Sequence, residues 1–187
     1  MSRTLFTADL HFGHANILRF CSRPFADIDA HDRALVENWN AVVGPRDIVY
    51  VVGDFAYKCH PQRLKQLFDA LRGHKHLVVG NHDLTPTRSL PWETVSERAV
   101  VSVDNVRLVL DHYPGRSWAG SNRGSIQLFG HTHGRLPDLH NACDVGVDRW
   151  GYMPTTLPQI VARLAEIPKP TYDEDDVAED DPSGPKI

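Results

Sequence analysis

Short apolar runs recur along the chain, and five of them end in Asp, Asn or His. The first covers residues 4–8 and leads into Asp9, His11 and His14. The others read DIVYVVGD, KHLVVGNHD, VRLVLDH and SIQLFGHTH. Continuous apolar runs of this length are typical of strands covered on both faces. Between the early runs the spacing becomes helical. Residues 15–20 predict a short helix. Leu35, Trp39 and Val42 predict another over residues 29–43, stopped by Gly44-Pro45. Leu64, Leu67, Phe68 and Leu71 mark the apolar face of a third, opened by His60-Pro61 and ended by Gly73. The order strand, helix, strand, helix, strand favours parallel pairing.

The second half predicts a hairpin of residues 99–103 and 106–110 around Asp104-Asn105. A loop, YPGRSWAGSNRG, covers residues 113–124. Strands are expected over 126–129 and 139–147, and Ile160, Val161 and Leu164 predict a closing helix over 158–167. No internal repeat is visible. Residues 1–168 read as one domain, and residues 169–187 as an acidic, Pro-containing tail expected to be disordered.

Composition narrows the class. A chain of 187 residues builds one substantial core. No apolar run is long enough for a membrane span, and the opening MSRTLFTADL has no leader pattern. Cys21, Cys59 and Cys143 have no CxxC spacing, which favours a reducing, cytoplasmic setting. The net charge is -4, but residues 171–187 carry seven acids and one lysine, so the remainder carries +2. A body so near neutrality has no basic stripe, and long nucleic acid is not a favoured substrate.

The run ends carry the chemistry. Residues two apart in a strand face one side, so Asp9 and His11 can reach one ion. A capped turn with a surface histidine is the alternative for that pair. Asp54 ends a run expected to be central, where an unpaired carboxylate is costly, and it can bridge two cations. Asn81 can offer its amide oxygen while His82 faces a substrate. Asp83 can accept the ring N–H of His82 or a backbone donor. Asp111-His112 and the pair His131 and His133 add imidazoles. One ion can take Asp9, His11, His133 and Asp54, and the other Asp54, Asn81, His112 and His131. Oxygen and nitrogen donors without thiolate suit two divalent ions, Mn²⁺ first, with Fe, Zn²⁺ or Ni²⁺ as alternatives. Two close cations activate a bridging water and clamp phosphoryl oxygens during in-line attack. His82 then either stabilises those oxygens or protonates the leaving group.

DLH, GD, GNHD, a later His and GHTH, in this order, resemble the calcineurin-like metallophosphoesterase superfamily over roughly residues 1–165. The opening DLHFGHANI resembles a compact bacterial and phage branch of it. The resemblance implies an α/β fold, a two-sheet β-sandwich flanked by helices in four αββα layers. It implies a dinuclear centre on Asp9, His11, Asp54, Asn81, His112, His131 and His133, with His82 as catalytic histidine and Asp83 as its partner. Asp111-His112 departs from the Gly-His often found there, which alters the surroundings of the ligand.

Specificity falls to short loops, with residues 12–24 and 113–124 the leading candidates. His14 is extra to the ligand set and reads either as a substrate contact or as a solvated loop residue. Arg116 and Arg123 can pair with phosphate, Trp118 can stack on a base, and Tyr113 can do either. A solvated loop with one aromatic packed down is the alternative. The expected protein is a phosphodiesterase in which metal-activated water attacks a small or nucleotide-like substrate. A phosphomonoesterase acting on nucleotides or proteins is the alternative reading. A non-catalytic metal-binding scaffold is the other, and it predicts missing ligands.

Overall fold

Three apolar runs form the centre of one sheet because each has a buried partner on both faces. The computed structural model describes residues 2–169. The acidic tail expected over 169–187 lies, from residue 170 onward, outside the described residues. The chain runs through β1 (Thr4–Thr7), α1 (Ala15–Phe20), α2 (Ile28–Val42), β2 (Ile48–Val52), α3 (Pro61–Ala70) and β3 (His74–Val78). It continues through α4 (Thr85–Arg88), β4 (Thr94–Ser96), β5 (Arg98–Val103) and β6 (Val106–Asp111). Then follow β7 (Ile126–Phe129), β8 (Ala142–Asp144), β9 (Thr155–Thr156) and α5 (Leu157–Leu164).

The first sheet has the order β4-β3-β2-β1-β9, and the second β5-β6-β7-β8. In the first, β1 to β4 are parallel and β9 is antiparallel to β1. In the second, β5 and β6 form the expected antiparallel hairpin, while β6, β7 and β8 are parallel. Its turn residues Asp104 and Asn105 both have positive φ, 48° and 64°. A two-residue turn of that hand matches the twist of the strands it joins, and Asp and Asn tolerate it. The protein is thus an α/β sandwich of two mixed sheets flanked by helices.

Alternation along the strands divides the core. Leu5, Val49, Val51 and Leu77 face Leu35, Trp39, Leu64 and Phe68 of α2 and α3. Phe6, Val52 and Val78 face the other way, onto Leu108 and Leu110 of β6, Leu128 of β7 and Cys143 of β8. Leu157, Ile160 and Leu164 of α5 join that inter-sheet cluster. Asp27 caps α2 by accepting from the Ala30 N–H at 2.7 Å. The Trp39 indole donates to the Arg72 carbonyl at 2.9 Å and ties α2 to the end of α3.

Three elements, α4, β4 and β9, are too short to leave a periodic signal. The strand expected over 139–147 is only Ala142–Asp144. Leu139 and Ala142 exchange backbone hydrogen bonds at 2.9 and 3.1 Å, so His140 and Asn141 form a tight turn instead of extending.

The outcome of this packing is that six strands, β1, β2, β3, β6, β7 and β8, present their carboxyl ends side by side. Phe6, fully buried between the sheets, and Val161, on the exposed face of α5, give a contrast in cost. Phe6→Ala should destabilise by about 3–5 kcal/mol, and Val161→Ala by no more than about 0.5 kcal/mol. Urea denaturation measures both; similar values for the two would contradict the assignment of the inter-sheet core.

Candidate metal centre

The strands stop before the chemistry begins. β1 ends at Thr7, and Asp9 and His11 both lie in the left-handed region, with φ of 58° and 53°. Their convergence therefore comes from two left-handed steps and not from strand period two, as the sequence suggested. Gly53 and Asp54 after β2 have φ of 88° and 56°, and His131 and His133 after β7 have 68° and 50°. Asp and His are among the side chains that enter this region most readily. The loops after β1 and β2 run together: Asp9 N–H donates to Gly53 O at 3.0 Å and His11 N–H to Asp54 O at 2.9 Å. Close approach also demands glycine here. A Cβ on Gly53 would lie 2.1 Å from Nδ1 of His112, and one on Gly80 would lie 2.3 Å from Oδ1 of Asp54.

These turns gather the seven sequence-predicted ligands. Oδ2 of Asp54 lies 3.4 Å from Nε2 of His11 and 3.5 Å from Nε2 of His112. Ligand atoms of Asp9, His11 and His133 lie within 4.8 Å of one another, as do those of Asp9, Asp54 and His112. Oδ1 of Asn81 lies 3.1 Å from Nε2 of His112 and 3.0 Å from Nδ1 of His131. One oxygen of Asp54 is thus near an imidazole from each sheet, His11 after β1 and His112 after β6.

The donors fit cations. Among the described residues, Oδ2 of Asp9 and Nε2 of His11 are buried side-chain atoms with no hydrogen-bond partner. An orphan of this kind is costly unless something positive or protic meets it. Nδ1 of His112 lies 2.9 Å from Val52 O, and Nδ1 of His133 lies 2.8 Å from Oδ2 of Asp148. Both partners accept only, so each Nδ1 carries the proton and each Nε2 is left to bind a metal.

Charge within the cluster is unevenly relieved. Burial pushes the Asp9 carboxyl up to about 7, against the pull of His133 and His112. Burial also acts on Asp54, but His112 and His11 outweigh it and hold that carboxyl at about 2. His112 is held at about 9 and His133 at about 10: burial lowers each, and the carboxylates of Asp54 and Asp148 more than reverse it. Burial drives His11 well below its ordinary range.

His82 sits at the mouth, about a third exposed, with Nε2 4.0 Å from Oδ2 of Asp54. Its backbone N–H donates to Oδ1 of Asp54 at 2.8 Å. The Asp83 carboxylate accepts three backbone N–H groups, from Asp54, Gly80 and Phe55, at 2.8 to 2.9 Å. It braces the loops that carry Asp54, Asn81 and His82, and forms no hydrogen bond with the His82 ring.

The predicted substrate residues divide. His14 lines the same cavity, of about 640 Å³, and its ring lies 5.3 Å from that of His11. Tyr113 packs on His131 at 4.7 Å, with its hydroxyl 3.4 Å from Oδ1 of Asn81. Arg116 and Trp118 line a different cavity with Ser121, Asn122 and His140. The Trp118 indole is buried against Val109 and Phe129 and donates to Ser125 O at 3.2 Å. Arg123 closes a short 3₁₀ turn, Ser121–Arg123, and is not among the residues lining the metal cavity. The rim is built instead by Phe20 and Cys21 at the end of α1, by Tyr57 and Lys58 after β2, and by Arg135. Phe20 and Cys21 fall within the 12–24 loop expected to carry specificity, whereas Tyr57, Lys58 and Arg135 follow no motif and only their nearness to the GD and GHTH segments hinted at them.

The calcineurin-like phosphoesterase superfamily domain matches residues 8–145, and the chain belongs to that superfamily. An uncharacterized protein of Methanocaldococcus jannaschii is 30% identical over 169 residues, covering 86% of this chain and 90% of the relative. The Gene 66 protein of Mycobacterium phage D29 is 31% identical over 182 residues, covering 80% and 90%. A protein of unknown function from Aquifex aeolicus has the same fold, with a TM-score of 0.71 at 20% identity over 87% of this chain and 100% of its own.

The Asp83 brace is testable apart from any activity. Asp83→Ala leaves three N–H groups without their acceptor, each costing about 1–3 kcal/mol. The chelated protein should lose several kcal/mol in urea denaturation, and Asp83→Asn, which keeps one carbonyl oxygen, distinctly less. Equal losses would show that the brace is not made of these hydrogen bonds.

Proposed function

We propose that the protein hydrolyses phosphodiesters of small, nucleotide-like compounds with two divalent cations, Mn²⁺ ahead of Fe, Zn²⁺ or Ni²⁺. The observation that carries this reading is the position of Asp54. One oxygen of its side chain lies near His11 and His112 alike, His11 groups with Asp9 and His133, and His112 meets Asn81, which meets His131. Asp9, His11, His133 and Asp54 would hold one ion, and Asp54, Asn81, His112 and His131 the other. Such a pair, when bound, supplies Lewis-acid polarisation of phosphoryl oxygens and a water acidic enough to attack at neutral pH.

The remaining work falls to this chain's own side chains. His82 reaches the cavity from the rim, where its ring can donate to a phosphoryl oxygen or to the departing oxygen. The Tyr57 ring lies 4.5 Å from it edge-on and fixes its orientation. Among the described residues lining the cavity, Lys58 and Arg135 carry the permanent positive charge. An open site whose only permanent cations are these scattered side chains does not hold a monoester dianion strongly, which favours a diester. Phe20, half exposed, and Tyr57 offer aromatic faces to a base or aryl group.

With Mn²⁺, turnover of bis(4-nitrophenyl) phosphate should exceed that of 4-nitrophenyl phosphate, and EDTA should abolish it until Mn²⁺ is restored. His82→Ala should lower kcat by about 10²–10⁴-fold with metal content unchanged. Faster monoester turnover would overturn the diester assignment, and chelator-insensitive turnover the whole reading. Cation affinity should also rise with pH. His112, at about 9, and His133, at about 10, carry protons at neutral pH before a cation binds. Those protons must leave as the nitrogens become ligands. Calorimetry in buffers of different ionisation enthalpy should show proton release at pH 7, with tighter binding at pH 8 than at pH 6.

A further inference from the structure

One guanidinium ties together three of the proposed ligands. The Arg23 side chain is fully buried, 0% exposed. It carries five N–H donors, and each has a partner. Nε donates to Oδ1 of Asp148 at 2.8 Å. Nη1 donates to Leu10 O at 3.1 Å and to Nε2 of His31 at 2.8 Å. Nη2 donates to Asp9 O and to Oδ2 of Asp148, both at 2.7 Å. An arginine cannot accept, so Nε2 of His31 must, which places the His31 proton on Nδ1. That proton is donated to Oδ1 of Asp32 at 3.0 Å. Asp32 in turn accepts from Arg63 and from the Gly13 N–H, so the array is anchored in α2 and α3.

The acceptors matter more than their number. Asp9 O and Leu10 O belong to the left-handed turn that aims Asp9 and His11. Asp148 accepts the Nδ1 proton of His133, and a ligand nitrogen of His133 lies within 4.8 Å of ligand atoms of Asp9 and His11. Backbone carbonyls on one side and a carboxylate on the other thus fix Asp9, His11 and His133 from one planar fork. The second group is held differently. His112 is anchored by Val52 O, and Asn81 and His131 meet each other. No hydrogen bond from Arg23 or Asp148 reaches them among the described residues.

We propose that Arg23, acting through Asp148 and through the carbonyls of Asp9 and Leu10, is a positioning residue for one cation position only. It sets the affinity of the Asp9–His11–His133 position and leaves that of the Asn81–His112–His131 position unchanged. The inference rests on the two-cation reading above and goes beyond it: the two positions are unequal by construction, and a residue outside the ligand set makes them so. A lysine cannot substitute, because it offers a point charge in place of a five-donor fork.

The test is a Mn²⁺ titration of the full-length protein. Metal content comes from mass spectrometry after gel filtration, affinities from calorimetry, and ion pairing from electron paramagnetic resonance. Wild type should bind two Mn²⁺ with a spin-coupled signal. Arg23→Lys and Asp148→Asn should each weaken one position by about 10–100-fold, the range typical of lost outer hydrogen bonds to metal ligands. The other affinity should stay at the wild-type value. At one equivalent the signal should be that of isolated Mn²⁺. Asp148→Asn keeps every carbonyl contact of Arg23, so it reads the position even if Arg23→Lys fails to fold. Equal weakening of both positions would reveal a general structural role and overturn the proposal, as would two wild-type affinities in Asp148→Asn. A wild type that binds no Mn²⁺ would overturn the two-cation reading and this one with it.

Discussion

The structure around the centre is governed by the burial of two carboxylates, Asp9 and Asp54, in one small volume. Water cannot solvate either of them, and like charges so close repel. The protein answers with imidazoles from both sheets and with backbone donors: the His131 N–H on Asp9 and the His82 N–H on Asp54. The answer is complete for Asp54, whose carboxyl is driven down, and incomplete for Asp9, whose carboxyl is driven up and whose Oδ2 has no partner. That imbalance explains why the site reads as a receptor for positive charge and not as a set of internal ion pairs.

Conformation and chemistry fall on the same residues. Asp9, His11, Asp54, His131 and His133 all have positive φ. A β-branched or bulky residue at these points would strain the turn that brings the ligands together. The strands hold the turns in place. β1 and β2 are buried on both sides, and the hydrogen bonding between them runs on past their ends, into the very loops that carry Asp9, His11 and Asp54. Rigidity is therefore built into the sheet and passed to the site through a few backbone bonds. The Asp83 carboxylate and the buried Arg23 fork complete it at the site.

Much of this was legible in the sequence. Among the described residues, the apolar runs gave seven of the nine strands, one of them at reduced length, and helical spacing gave the four longest helices. The endings of those runs named the residues that converge. What stayed hidden had a physical reason. Period-two geometry was a natural way to join Asp9 and His11, but left-handed turns leave no hydropathy signature. Trp118 in a Gly- and Ser-rich loop looked like a stacking platform; the outer face of the second sheet offered Val109 and Phe129, and the indole was buried there instead. Arg23 and Asp148 are 125 residues apart, and neither belongs to a motif. Their pairing exists only because β8 and the segment after it return to the end of β1, where Val147 N–H donates to Ala8 O at 3.0 Å.

Asp9, His11, Asp54 and Asn81 leave the first sheet, whereas His112, His131 and His133 leave the second. Ions seated among them would rivet the sandwich shut at one end, since the sheets could not part there without dissolving the coordination. Thermal denaturation of such a molecule becomes a reporter of divalent-ion supply through mass action. Scarcity would then loosen the seam between the sheets as well as silence the chemistry.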